Sequence, residues 1–126
     1  MSGVNVKRDY EGTTLTRTQS SNVHVYPINN NYNFSTPFTV NFNVITYSGI
    51  VIVRINNGTA VDKYFSGLGL TRNNNVRIEA TSSQIKYYVD NILKDSVNNT
   101  GGNSYVDIIL NNGSVKYNYF QIYSLM

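Results

Sequence analysis

Residues 75–97, NVRIEATSSQIKYYVDNILKDSV, constrain the fold of this chain more than any other stretch. Val76, Ile78 and Ala80 alternate with Arg77 and Glu79. After Thr81-Ser82-Ser83, Ile85, Tyr87 and Val89 alternate with Lys86, Tyr88 and Asp90. Apolar side chains at every second residue place one face of an extended strand on a core and the other in water. Asp90-Asn91 interrupts the pattern with two small polar residues that tolerate a left-handed backbone, as a tight hairpin turn requires. The stretch therefore predicts strand, turn, strand, tight turn, strand.

The same period recurs along the chain. Phe38, Val40, Phe42 and Val44 point inward, while Thr39, Asn41 and Asn43 point outward. Short strands are expected at 15–18 and 23–26. Ile50 to Ile55 is apolar on both faces, as in a strand covered on both sides. Ser48-Gly49, Asn57-Gly58 and Asn112-Gly113 read as turns. They separate 38–46 from 50–55, 50–55 from 60–65, and 105–110 from 115–125. No window carries the 3, 4, 7 spacing of an amphipathic helix. Nine or ten strands broken by turns every 8–12 residues predict an all-β, two-sheet antiparallel sandwich. Its expected core is Phe38, Val40, Phe42, Val44, Ile52, Val76, Ile78, Ile85, Val89, Ile108, Phe120 and Ile122.

At 126 residues the chain suits one domain. Residues 1–8 are expected to be an extension and 9–126 the sandwich. The first ten residues lack the apolar segment of a signal peptide. No run near 18 apolar residues occurs, so no membrane insertion is expected. Without cysteine there is no disulfide or thiolate chemistry. Ten basic and seven acidic residues are dispersed, a pattern that does not suit a nucleic-acid partner.

Several pieces resemble the concanavalin A-like lectin/glucanase fold, including laminin G-like modules. They are the Phe-Thr-Val-x-Phe-x-Val strand at Phe38 to Val44, the Tyr-Val-Asp hairpin at Tyr88 to Asp90, and the closing Tyr119-Phe120-Gln121-Ile122-Tyr123. Asn91 stands where that hairpin usually has glycine. Asp9-Tyr10-Glu11-Gly12 also resembles the opening of many jelly-roll carbohydrate-binding modules. The resemblance implies a jelly-roll path and a lectin-like function. It also implies an extracellular, cell-surface or virion location, as part of a larger secreted, adhesin or phage tail protein.

The residues argue against an enzyme. Glycoside hydrolysis needs two facing carboxyl groups, which in the resembled glucanases lie on one strand as Glu-x-Asp-x-Glu. The seven acids, Asp9, Glu11, Asp62, Glu79, Asp90, Asp95 and Asp107, show no such spacing. The single histidine, His24, has no nucleophile motif to serve and reads as a strand surface residue. Asp9 and Glu11 are the candidate metal ligands, for a structural calcium like that of some jelly-roll modules; no other cofactor is expected. The Asn-x-Ser/Thr triplets at Asn33, Asn57, Asn98 and Asn112 are no more than this asparagine-rich chain produces by chance.

Eleven tyrosines and about twenty asparagines carry the functional signal. A phenol stacks on a sugar ring with its face and hydrogen-bonds with its hydroxyl. Outward positions put Tyr88, Tyr105 and Tyr119 forward as ligand-binding residues, with Asn43, Arg77, Asp107 and Gln121 as hydrogen-bonding partners. Tyr123 is also outward, and Tyr32 and Tyr47 lie in or beside loops. Tyr10, Tyr64, Tyr87 and Tyr117 read as packing residues. The expected partner is a neutral or weakly charged glycan or cell-surface polysaccharide, with homo-oligomerisation left open. The alternative is a structural or oligomerisation domain of a virion or surface fibre. An apolar outer face at Ile45, Ile92 and Leu93 would favour it.

Overall fold

Alternation becomes pairing in a computed structural model that describes residues 4–9, 12–17, 23–25, 34–100 and 102–124. The described strands are β1 (Val4–Arg8), β2 (Thr13–Arg17), β3 (Val23–Val25), β4 (Phe34–Ser35), β5 (Phe38–Asn56), β6 (Ala60–Tyr64), β7 (Asn74–Ala80), β8 (Gln84–Val89), β9 (Ile92–Asn98) and β10 (Asn103–Ser124). All their pairings are antiparallel. The main path runs β1-β2-β10-β5-β7-β8-β9; β3 and β4 join β10, and β6 joins β5. The chain is an antiparallel β-sandwich. A 3-10 turn at Phe65–Leu68, where no helix was expected, follows β6 and buries Phe65 and Leu68.

The two long strands, β5 and β10, generate both layers. Ser48-Gly49 and Asn112-Gly113, expected as chain-reversing turns, lie instead inside these strands, where Gly113 pairs with Gly49, Ser114 pairs with Ser48 and Asn112 falls within a register slip. Gly49 has φ 73, which glycine adopts without steric cost. The β5–β10 register slips between Leu110 and Gly113, between Lys116 and Tyr117, and between Asn118 and Gln121. Each slip adds one residue to one strand and reverses which side chains face inward. The apolar pattern follows each reversal. Along β5 the inward set is Phe38, Val40, Phe42 and Val44, then Val51, Val53 and Ile55. Along β10 it is Val106, Ile108 and Leu110, then Val115 and Tyr117, then Phe120 and Ile122.

Both halves of this ribbon therefore contribute to one continuous core. Phe42 stacks on Phe120 at 5.0 Å and on Phe65 at 6.2 Å. Across one side of the sandwich, Lys63 of β6 hydrogen-bonds Asp95 of β9. Its ammonium lies 5.6 Å from the centroid of the buried Tyr87 ring. That bond holds the Asp95 carboxyl below its ordinary range, while burial, followed by Asp95 and Asp62, pushes the Tyr87 phenol upward.

Of the expected core, Phe120 and Ile122 are half-buried and the other ten residues are buried. Ile52 is buried on the opposite face of β5, across from Ile109, and so lies outside the main cluster. The segment expected as an extension is structured from Val4, which is buried; β1 pairs with β2 throughout its length. Tyr64, expected to pack, is exposed, whereas Tyr47 packs edge-on against Phe65 at 5.5 Å. Tyr10, Glu11 and Tyr32 lie outside the described residues.

Candidate functional site

The outer face of β10, β5, β7 and β8 gathers most of the outward polar residues into one groove. Antiparallel register sets Gln121 against Asn41, Asn41 against Arg77, Arg77 against Tyr88, and Tyr88 against Leu93. With strands about 4.8 Å apart, this row spans roughly 19 Å. A second row places Asn118 beside Asn43 and Asn43 beside Asn75. Between the rows lies a cavity of about 200 Å³ lined by Asn41, Phe42, Asn43, Asn75, Arg77, Asn91, Tyr119 and Gln121.

Tyr119 forms one wall. It is the residue displaced by the β10 slip between Asn118 and Gln121, with φ 55 and 78% of its surface exposed. A left-handed backbone is costly for a bulky aromatic residue. Strain of this kind persists where surrounding structure enforces it, often at a binding site.

Arg77 and Tyr88 stand on the other side. The Arg77 guanidinium lies 4.2 Å from the Tyr88 ring centroid, a cation–π arrangement. Its Nε donates to Glu79 Oε2 at 3.1 Å and its Nη1 to Asn91 Oδ1 at 2.6 Å. Asn43 donates to Asn75 Oδ1 at 3.1 Å and to the Asn74 carbonyl at 3.3 Å. These contacts fix the orientation of the groove's polar groups before any ligand arrives.

The turn carrying Asn91 is braced by Asp90. Both residues have positive φ, 50 and 68, as the hairpin reading required. Asp90 accepts from the Asn75 backbone at 2.9 Å and from Asn74 Nδ2 at 2.8 Å. The Asn75 bond first, and then the Asn74 bond, hold the Asp90 carboxyl below its ordinary range. A depressed folded-state value stabilises the fold above the unfolded value of about 3.9 and is lost as pH falls through the folded value. Thermal midpoints measured from about pH 5 to pH 2 should fall, and less steeply in Asp90→Asn. Equal slopes would remove Asp90 as the acid-sensitive brace.

Of the seven residues expected to contact ligand, Asn43, Arg77, Tyr119 and Gln121 line the groove and Tyr88 backs Arg77. Tyr105 and Asp107 lie on the first half of β10, opposite Asn56 and Arg54. Tyr105 is exposed there, but Asp107, expected on an outward face, is only 4% exposed. Asn41, Asn75 and Asn91 also line the groove and were not in the expected set. Asn41 shares the outward alternation of Asn43, and Asn75 that of Arg77, so period two already carried the signal.

Of the two expected calcium ligands, only Asp9 is among the described residues. Asp9 accepts from the Gly12 backbone at 3.2 Å and faces Lys116 Nζ at 3.3 Å. An ammonium there competes with a divalent cation for the same carboxylate. Glu11 lies outside the described residues. Among the described residues no group of three or more His, Cys, Asp or Glu side chains converges on a metal position.

The fold is similar to that of the carbohydrate binding module CBM66 from Bacillus subtilis. The TM-score is 0.68 over 96% of this chain and 92% of that chain, at 8% sequence identity. No protein-family model matches the sequence, and no curated protein matches it. At this identity the similarity establishes the fold.

Proposed function

We propose that the chain is a non-catalytic, lectin-like glycan-binding module that holds its ligand between Tyr119 and the Arg77–Tyr88 pair. Tyr119 carries the reading: an aromatic ring held in a strained backbone, mostly exposed, beside a groove of amides. A ring face for C–H stacking and amides for hydroxyls are what a sugar requires. The module named in the structural similarity gives the reading further support. Among the described residues no carboxylate lines the groove, and glycoside hydrolysis needs a facing pair of them. A glycan ligand is consistent with a module at a cell surface, in a secreted protein or on a virion.

The test is a glycan array on the purified domain, followed by titration of Tyr119→Gly and Tyr88→Ala. Tyr119→Gly should abolish measurable binding. Its melting temperature should hold or rise, because relief of about 1–2 kcal/mol of left-handed strain offsets the roughly 0.5–1 kcal/mol entropic cost of glycine. Tyr88→Ala should weaken binding by removing the surface on which Arg77 rests. Undiminished binding by both variants would place the site elsewhere.

One observation favours an assembly role instead. Ile92 and Leu93, on the terminal strand β9, are 60% and 50% exposed. Ile45, the third residue of that expected apolar face, is buried beside Gly12. An assembly domain would bind no glycan and would form oligomers that Leu93→Lys dissolves.

A further inference from the structure

The geometry points to an acidic ligand for this groove: a glycan chain carrying hexuronate residues, one of whose carboxylates sits on Arg77. This rests on the glycan-binding reading above and specifies its substrate class. Among the described residues, Arg77 is the one charged residue lining the cavity. Its Nε and one Nη1 hydrogen are held by Glu79 and Asn91, leaving its Nη2 hydrogens and the second Nη1 hydrogen. Those donors form the end of the planar fork, a geometry that matches the two oxygens of a carboxylate.

The amides around Arg77 supply the remaining hydrogen bonds to the sugar. Asn91 spends its side-chain carbonyl on Arg77, and Asn75 accepts from Asn43. Their NH2 groups remain for a ligand, because an amide nitrogen only donates. Asn43 is the converse: its NH2 donates to Asn74 and Asn75 and its side-chain carbonyl is left to accept, so the amides offer a ligand donors and acceptors alike. Glu79 orients Arg77 through an ion pair at 3.1 Å, and Lys86 stands opposite Glu79 in register. The exposed Tyr119 ring supplies a stacking surface for the sugar, and that need separates a uronate chain from a simple acidic peptide.

Titration calorimetry should compare oligogalacturonate, oligoalginate and hyaluronan fragments with their methyl esters, using poly-glutamate as a charged chain without rings. At least one acid form should bind about tenfold or more tightly than its own ester. The difference should shrink in about 0.5 M salt, where exposed charges are screened. Arg77→Gln should abolish the difference between acid and ester. Arg77→Lys, which keeps the charge and loses the fork, should restore only part of it. A melting curve for each variant separates loss of the site from loss of the fold. If acid and ester bind alike, or only neutral glycans bind, the acidic class is overturned while the glycan-binding reading stands. If poly-glutamate binds as well as the uronates, the ligand is not selected as a sugar. If no glycan of any class binds, both readings fall.

Discussion

Replacing Phe42 by alanine is expected to lower the unfolding free energy by about 3–5 kcal/mol, the usual loss for a fully buried aromatic residue. Phe42 is 1% exposed. Its ring lies between Phe120 of β10 and Phe65 of the 3-10 turn, both in stacked orientations. Its backbone pairs with Val76 of β7, so the position is fixed on several sides. Surroundings held this way relax little into the vacated space, and the cavity term adds to the lost transfer energy. Urea unfolding should show the midpoint falling at nearly constant slope. A loss below about 1.5 kcal/mol would fall short of the range for a buried aromatic residue, and would mean that the layers do not close on this ring.

Gly113→Ala should be comparably damaging, for a different reason. An added Cβ would lie 2.0 Å from the Ser48 carbonyl oxygen and 3.1 Å from the Gly49 Cα. Both are backbone atoms at the point where β5 and β10 slip past each other, and no side chain can swing away to make room. Forcing a methyl group into such a contact typically costs 1–3 kcal/mol, and more where the backbone must move, so about 3 kcal/mol is expected. Gly58→Ala is the control. Nothing lies within 4 Å of its added Cβ, and its φ is 103, so its cost is confined to backbone strain of about 1 kcal/mol. Equal losses for the two variants would show that the close approach at Gly113 is not what requires glycine there.

These two residues also mark how far the sequence can be read. Phe42 sits in an alternating run, and alternation alone assigns it to the core. Gly113 follows an asparagine, and Asn-Gly reads locally as a hairpin turn. In the structure the strand continues through it. An Asn-Gly step permits an unusual backbone but does not decide whether the chain reverses. That depends on pairing between β5 and β10, which lie far apart in sequence.

The sequence by itself determined the all-β class, the inward faces of β7 and β8, and the left-handed Asp90-Asn91 turn, because each follows from side-chain period or backbone permissiveness within a few residues. It also placed Asn43, Arg77, Tyr88, Tyr119 and Gln121 outside the core. Only the tertiary structure decided that these five share one face, since strands distant in sequence must pair in register for their side chains to meet. It likewise buried Asp107, set Tyr105 on the other half of β10, and added Asn41, Asn75 and Asn91 to the groove. Period two separates the two faces of one strand. It carries no information about which strand lies alongside, or about where a bulge exchanges the faces.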